Sequence, residues 1–149
     1  MRQKIQGAEY RTRPYGEAPS FGLPRHNRKL EPVFQMTPAG THVIIDFYGA
    51  EDPGEGALAI LRRVAALAGC NVIDELEHVF PGGGRTALVL LSQSHASLHT
   101  WPEHQYVSFD LYSCRELSPG DVCIIADHVR VAVKAVREAM RAFPRGNAV

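Results

Sequence analysis

The stretch Ser92-Gln93-Ser94-His95-Ala96-Ser97-Leu98-His99-Thr100-Trp101-Pro102-Glu103 lies between two runs of strand formers, Ala87 to Leu91 and Tyr106 to Leu111. Those flanks predict strands entering and leaving it, so its hydroxyls, imidazoles and carboxylate are expected on a rigid sheet. Cys114, eleven residues past Glu103, adds a thiol to the same region. Reactive groups at this density, held on strands, are what a preorganised site requires.

Upstream, Thr41 to Tyr48 reads as a buried strand ending in the turn-like Gly49-Ala-Glu-Asp-Pro53. A helix is expected from about Pro53 to Ala68, with Leu58, Leu61, Ala65 and Leu67 on its apolar face and Gly69 as its stop. Asn71 to Phe80 and Arg85 to Ser92 are expected strands, reversed by Pro81-Gly-Gly-Gly84. His95 to Thr100 and Gln105 to Ser113 continue the pattern, with Trp101-Pro102-Glu103 as the break. Pro119 and Asp121 open a last helix whose stripe is Ile125, Val129, Ala132, Val136 and Met140. This order predicts an α+β fold, a two-layer sandwich of one antiparallel sheet with two helices on one face.

Residues 1–38 carry much of the proline and arginine, as in Arg25-His-Asn-Arg28-Lys29, and show no sustained periodicity. They are read as an N-terminal extension to a domain spanning 39–149. Their basic character suits a solvated tail, or contact with an acidic partner or a neighbouring subunit, and Lys29 to Met36 could add a strand.

Length and charge narrow the function. The 149 residues suit one core, and a formal net charge of zero gives no reason to expect nucleic acid or an anionic membrane surface. No apolar run approaches the roughly 20 residues of a membrane span, and the start reads without a secretory signal. Cys70, Cys114 and Cys123 form no Cys-x-x-Cys pair, which fits reduced thiols and a cytoplasmic home. His95 and His99 stand at i, i+4, a metal-ligand spacing only on a helix, and lack a third ligand, so no metal is expected. Pyridoxal phosphate would need a Schiff-base lysine, whereas Lys4, Lys29 and Lys134 fall in the tail or on the expected last helix. Gly82 to Gly84 more simply lets two strands reverse than cradles a phosphate.

The run Gln93 to Glu103, followed by Tyr106 to Ser113 and Cys114, resembles the hallmark of the prokaryotic S-adenosylmethionine decarboxylase proenzyme family, pyruvoyl enzymes of polyamine synthesis. Weaker likeness extends through His42 to Tyr48 and Phe80 to Thr86, about two thirds of the chain in all. The resemblance implies autocatalytic cleavage of a zymogen between Gln93 and Ser94. Ser94 would be consumed to give a pyruvoyl cofactor that takes substrate as a Schiff base. It further implies His99 as the proton acceptor of processing, Thr86 as a processing hydroxyl where relatives commonly have serine, and Cys114 as the proton donor after carbon dioxide leaves. Phe80 would stack on adenine, Glu103 would hold the ribose hydroxyls, and Trp101 would contribute to the substrate site or anchor an interface.

Relatives dimerise into a larger sandwich, so Ser94 and Cys114 of one subunit would meet Phe80, Thr86, His99 and Glu103 of the other in a homodimer. This chain departs from the family pattern in three places. Gln93 replaces the usual glutamate, Arg115 stands where relatives have glycine after the catalytic cysteine, and the chain ends soon after Phe143-Pro144, where a further strand is expected. The extension is a candidate replacement for that strand. Decarboxylation of ornithine or arginine and a nonprocessing regulatory role remain the alternatives to a lyase acting on S-adenosylmethionine for spermidine biosynthesis.

Overall fold

Val43, Ile45 and Phe47 alternate with His42, Ile44 and Asp46 along β1 (Gly40–Tyr48), and the first set is fully buried or nearly so. This period of two, repeated by Val107, Phe109 and Leu111 in β5 (Tyr106–Ser113), gives a sheet with one wet and one dry face. The computed structural model describes residues 39–146. Together with β2 (Val72–Val79), β3 (Arg85–Leu91), β4 (Ser94–Trp101) and β6 (Arg137–Arg145), these strands form one antiparallel sheet in the order β2-β3-β4-β5-β1-β6.

Two helices cover the dry face. α1 (Ala57–Leu67), entered through a 3-10 turn at Gly54–Gly56, buries Ala57, Ile60, Leu61, Val64 and Ala65. Gly69 ends it at φ +67, a left-handed conformation glycine adopts without a Cβ penalty. α2 (Pro119–Ala132) opens with a reciprocal capping box. The Asp121 N–H donates to Ser118 Oγ (3.1 Å) and the Ser118 N–H to the Asp121 carboxylate (3.0 Å). The Ser118 hydroxyl also donates to the Asp121 carboxylate at 2.7 Å, and this bond, with that from the Ser118 N–H, holds the Asp121 carboxyl below its usual pKa. The expected two-layer α+β sandwich is what forms. The opposite sheet face is covered by no element among the described residues, leaving Leu76, Leu88 and Leu90 exposed there.

The last third departs from expectation. α2 stops at Ala132, Lys134 turns left-handed at φ +51, and Arg137–Arg145 pairs residue by residue with β1. The helical spacing of Val136 and Met140 with Ile125 was coincidental: Val136 is 86% exposed, and Met140 sits on a strand. β6 suits its place as a sheet edge, with three arginines and a proline near its end discouraging further pairing. The strand expected of relatives is therefore present and needs no substitute from the extension. The extension itself, including the strand expected at Lys29–Met36, lies outside the described residues.

Apolar surroundings in the sequence suggest packing roles for Cys70 and Cys123; Cys70, just after α1, is buried in the core as such a role requires, whereas Cys123 is exposed on α2 and is not a packing residue. Lys134 is not helical and pairs with Glu51 at 2.5 Å.

Candidate active site

The β2–β3 reversal and the break after β4 lie at the same end of the sheet, because the two strands flanking each are antiparallel neighbours. Between them is a cleft of about 530 Å³, lined by Phe80, Arg85, Thr86, His99, Trp101 and Glu103 among others. Five residues singled out in the sequence, Phe80, Thr86, His99, Trp101 and Glu103, thus meet. Thr86 and His99 are register partners on β3 and β4. The Thr86 hydroxyl and His99 Nδ1 share a 2.9 Å hydrogen bond whose donor depends on the ring tautomer. Either way the bond fixes the imidazole and leaves Nε2 for other work. Phe80 meets the His78 ring edge-on at 4.6 Å, and Glu103 stands on the 3-10 turn Pro102–His104.

The cleft continues onto the uncovered sheet face. His78, Thr86, His99, Ser108 and Asp46 are successive cross-strand partners, forming a polar row over five strands. Beside it, Trp101 and Tyr106 pack with ring centroids 5.2 Å apart. The Tyr106 hydroxyl donates to Asp46 Oδ1 at 2.5 Å. Burial, reinforced by that bond, pushes the Tyr106 pKa up to about 12. Beneath the cleft, Arg85 donates to Asp52 (2.8 Å) and Glu77 (3.0 Å). Burial opposes its charge, but the two hydrogen bonds and carboxylate charges outweigh that and leave its pKa raised.

Ser94 and Cys114 are elsewhere. At about 3.3 Å per residue, the five steps from Ser94 to His99 along β4 span about 16 Å, so within one chain the two cannot touch. Ser94 follows the two-residue reversal Ser92-Gln93 at φ +128, in a region a residue with a side chain rarely adopts. The Cys114 N–H donates to the Gln93 carbonyl at 3.1 Å, and Ser94 Oγ lies 3.5 Å from His95 Nδ1. The Cys114 side chain is exposed. Arg115 turns its guanidinium to the carbonyls of Ala68 and Gly69 at the end of α1, both at 3.2 Å. No group of three or more metal-ligating side chains occurs among the described residues.

A family model described as S-adenosylmethionine decarboxylase matches residues 41–146, spanning the cleft and the Gln93–Ser94 junction. The chain belongs to the S-adenosylmethionine decarboxylase family. An S-adenosylmethionine decarboxylase proenzyme from Synechococcus sp. (strain WH7803) is 34% identical over 111 residues, 71% of this chain and 84% of the relative. An S-adenosylmethionine decarboxylase proenzyme 2 from Halalkalibacterium halodurans is 32% identical over 115 residues, 74% and 89% of the two chains. The crystal structure of the adenosylmethionine decarboxylase from Aquifex aeolicus superposes with a TM-score of 0.65 at 28% identity, over 76% of this chain and 96% of that one.

Sequence reading within this decarboxylase family missed His78, Asp46, Tyr106 and Arg85. Alternation put Tyr106 and Ser108 on the same face as His99, which was a usable signal. Finding Asp46 and His78 also required the strand order, because both reach the row only through intervening strands.

Proposed function

We propose that this family member is a self-processing, pyruvoyl-dependent decarboxylase of S-adenosylmethionine, producing the aminopropyl donor for spermidine. The Gln93–Ser94 junction carries the reading. A non-glycine residue at φ +128 holds strain on the order of 1–3 kcal/mol. That strain sits at the bond the reaction consumes, and the carbonyl to be attacked already accepts the Cys114 N–H, a donor suited to a developing oxyanion.

In processing, Ser94 Oγ adds to the Gln93 carbonyl carbon, the peptide C–N bond breaks, and an ester forms while Ser94 gains a free amine. Loss of the Ser94 Cα proton then expels the Gln93 carboxylate. The dehydroalanyl terminus takes up one water and releases one ammonia, leaving the pyruvoyl ketone on residue 94. His99, held by Thr86, accepts the Cα proton. The ketone supplies the electron sink that loss of an amino-acid carboxylate demands. Cys114 returns a proton to the substrate carbon. Phe80 and Trp101 offer faces to adenine and to the sulfonium charge, and Glu103 accepts from the ribose diol.

The separation of about 16 Å makes a homodimer part of this reading. The uncovered sheet faces pack together, and Ser94 and Cys114 of one copy complete the cleft of the other. Free thiols fit a reducing compartment, so cytoplasmic residence belongs to the reading too. Arg115, which could have favoured ornithine or arginine by holding a carboxylate, is engaged by α1 instead.

Intact-mass measurement of purified protein tests the proposal. The expected result is two fragments, 1–93 and 94–149, the second lighter by one ammonia than simple hydrolysis gives and lacking a free N-terminal amine. Carbon dioxide release from S-adenosylmethionine should accompany it. An uncut chain would reject processing and favour a regulatory homologue, while release from ornithine or arginine alone would reject the substrate.

A further inference from the structure

Arg115 follows Cys114 at a place where the resemblance to the family implies glycine, and its side chain is engaged. Arg115 Nη1 donates to the carbonyls of both Ala68 and Gly69 at 3.2 Å. Those oxygens belong to the C-terminal end of α1, where carbonyls lack helical partners and the helix dipole favours a cation. The seat depends on Gly69: a Cβ there would lie 2.1 Å from Arg115 Nη1. Arginine at 115 and glycine at 69 therefore fit each other across 46 residues of sequence.

This anchor lies in a segment tied down along its length. The Arg115 N–H donates to Oγ of the fully buried Ser113 at 3.1 Å, and the Leu117 N–H donates to Thr41 Oγ1 at 3.1 Å. Between them, the Cys114 N–H rests on the Gln93 carbonyl. Arg115 joins the segment to α1, beyond the sheet.

We infer that Arg115 is a positioning residue for self-cleavage, holding the Cys114 N–H on the Gln93 carbonyl by clamping the 113–117 segment to the end of α1. The inference rests on the self-processing reading above. Removing the anchor lets the segment drift, so the carbonyl loses part of its polarising donor at the moment Ser94 Oγ attacks. Complete loss of such a donor slows a reaction about 10²–10³-fold; drift should cost about tenfold.

The test is a cleavage time course of the full chain made by cell-free synthesis, for wild type, Arg115→Ala, Arg115→Lys, Gly69→Ala and the Gly69→Ala/Arg115→Ala pair. Arg115→Ala should cleave about tenfold more slowly, and Arg115→Lys should recover part of the rate because an ammonium still reaches a carbonyl. Gly69→Ala evicts the guanidinium, so the pair should be no slower than Gly69→Ala alone. On the uncleavable Ser94→Ala background, Arg115→Ala should speed amide hydrogen exchange at Cys114 without unfolding the sheet. Wild-type cleavage matched within about twofold by a folded Arg115→Ala chain, or a lower thermal midpoint with unchanged cleavage, overturns this inference alone. Absence of cleavage in wild type overturns the self-processing reading and this inference with it.

Discussion

Replacing Arg85 by Ala should be among the most destabilising single changes in this domain. The Arg85 side chain is 9% exposed and holds Asp52 and Glu77, themselves 20% and 22% exposed. Truncation leaves two carboxylates close together, poorly hydrated and without their cation. Breaking a buried ion pair from one side costs about 3–5 kcal/mol, and the water each carboxylate still reaches argues for the lower end, about 3 kcal/mol. For a domain of this size that corresponds to a fall in Tm of about 10 °C or more. Urea unfolding on the Ser94→Ala background, where the chain stays in one piece, measures it. Replacing all three residues together, as Arg85→Met, Asp52→Asn and Glu77→Gln, should restore much of the loss, since the penalty comes from stranded charge. Because Arg85 also ties β3 to β2 at the base of the turn that presents Phe80, KM should rise in the single variant. A loss below about 1 kcal/mol for Arg85→Ala, or a triple variant no more stable than the single, would refute the argument.

Ser94→Ala should abolish the split seen by mass, whereas Cys114→Ala should leave the split and impair turnover; the reverse pattern contradicts both assignments. Phe80→Ala should raise KM about tenfold or more, from about 1.5–3 kcal/mol of lost ring burial, and a change in kcat alone would exclude a binding role. Co-folding equal amounts of Ser94→Ala and His99→Ala chains should cleave about a quarter of all chains, because about half the dimers are mixed and each has one intact site. Failure of the mixture to cleave, with each parent inert and dimeric, removes the shared site. In alkaline absorbance titration, one tyrosine should ionise near about 12 and vanish in Tyr106→Phe. Because the folded value is raised, the Tyr106–Asp46 bond stabilises the protein fully below the ordinary tyrosine pKa of about 10 and stops doing so as pH rises through about 12.

Strand alternation made most of the sheet legible, because a one-residue slip in β1 or β5 would turn Phe47 or Phe109 out to water. The error at the C-terminus has a specific cause. Arg137 to Arg145 buries little of itself, so an edge strand there carries no strong period of two, and two apolar residues four apart imitate a helix turn. What decides the matter is the supply of backbone partners along β1, nine residues long, which no local pattern encodes.

The site was legible as a set of residues but not as a set of places. Ser94 and His99 are close in sequence, and on a helix five residues would span little more than one turn; on a strand the same spacing separates them by about 16 Å. Residues on different strands come together instead: Thr86 with His99 across one ladder, and Tyr106 with Asp46 across another. The Gln93–Ser94 junction and the cleft that holds Thr86 and His99 thus lie at opposite ends of β4. Sequence proximity, which made the run Gln93 to Glu103 look like a single site, instead measures the distance that a second copy would bridge in the proposed dimer.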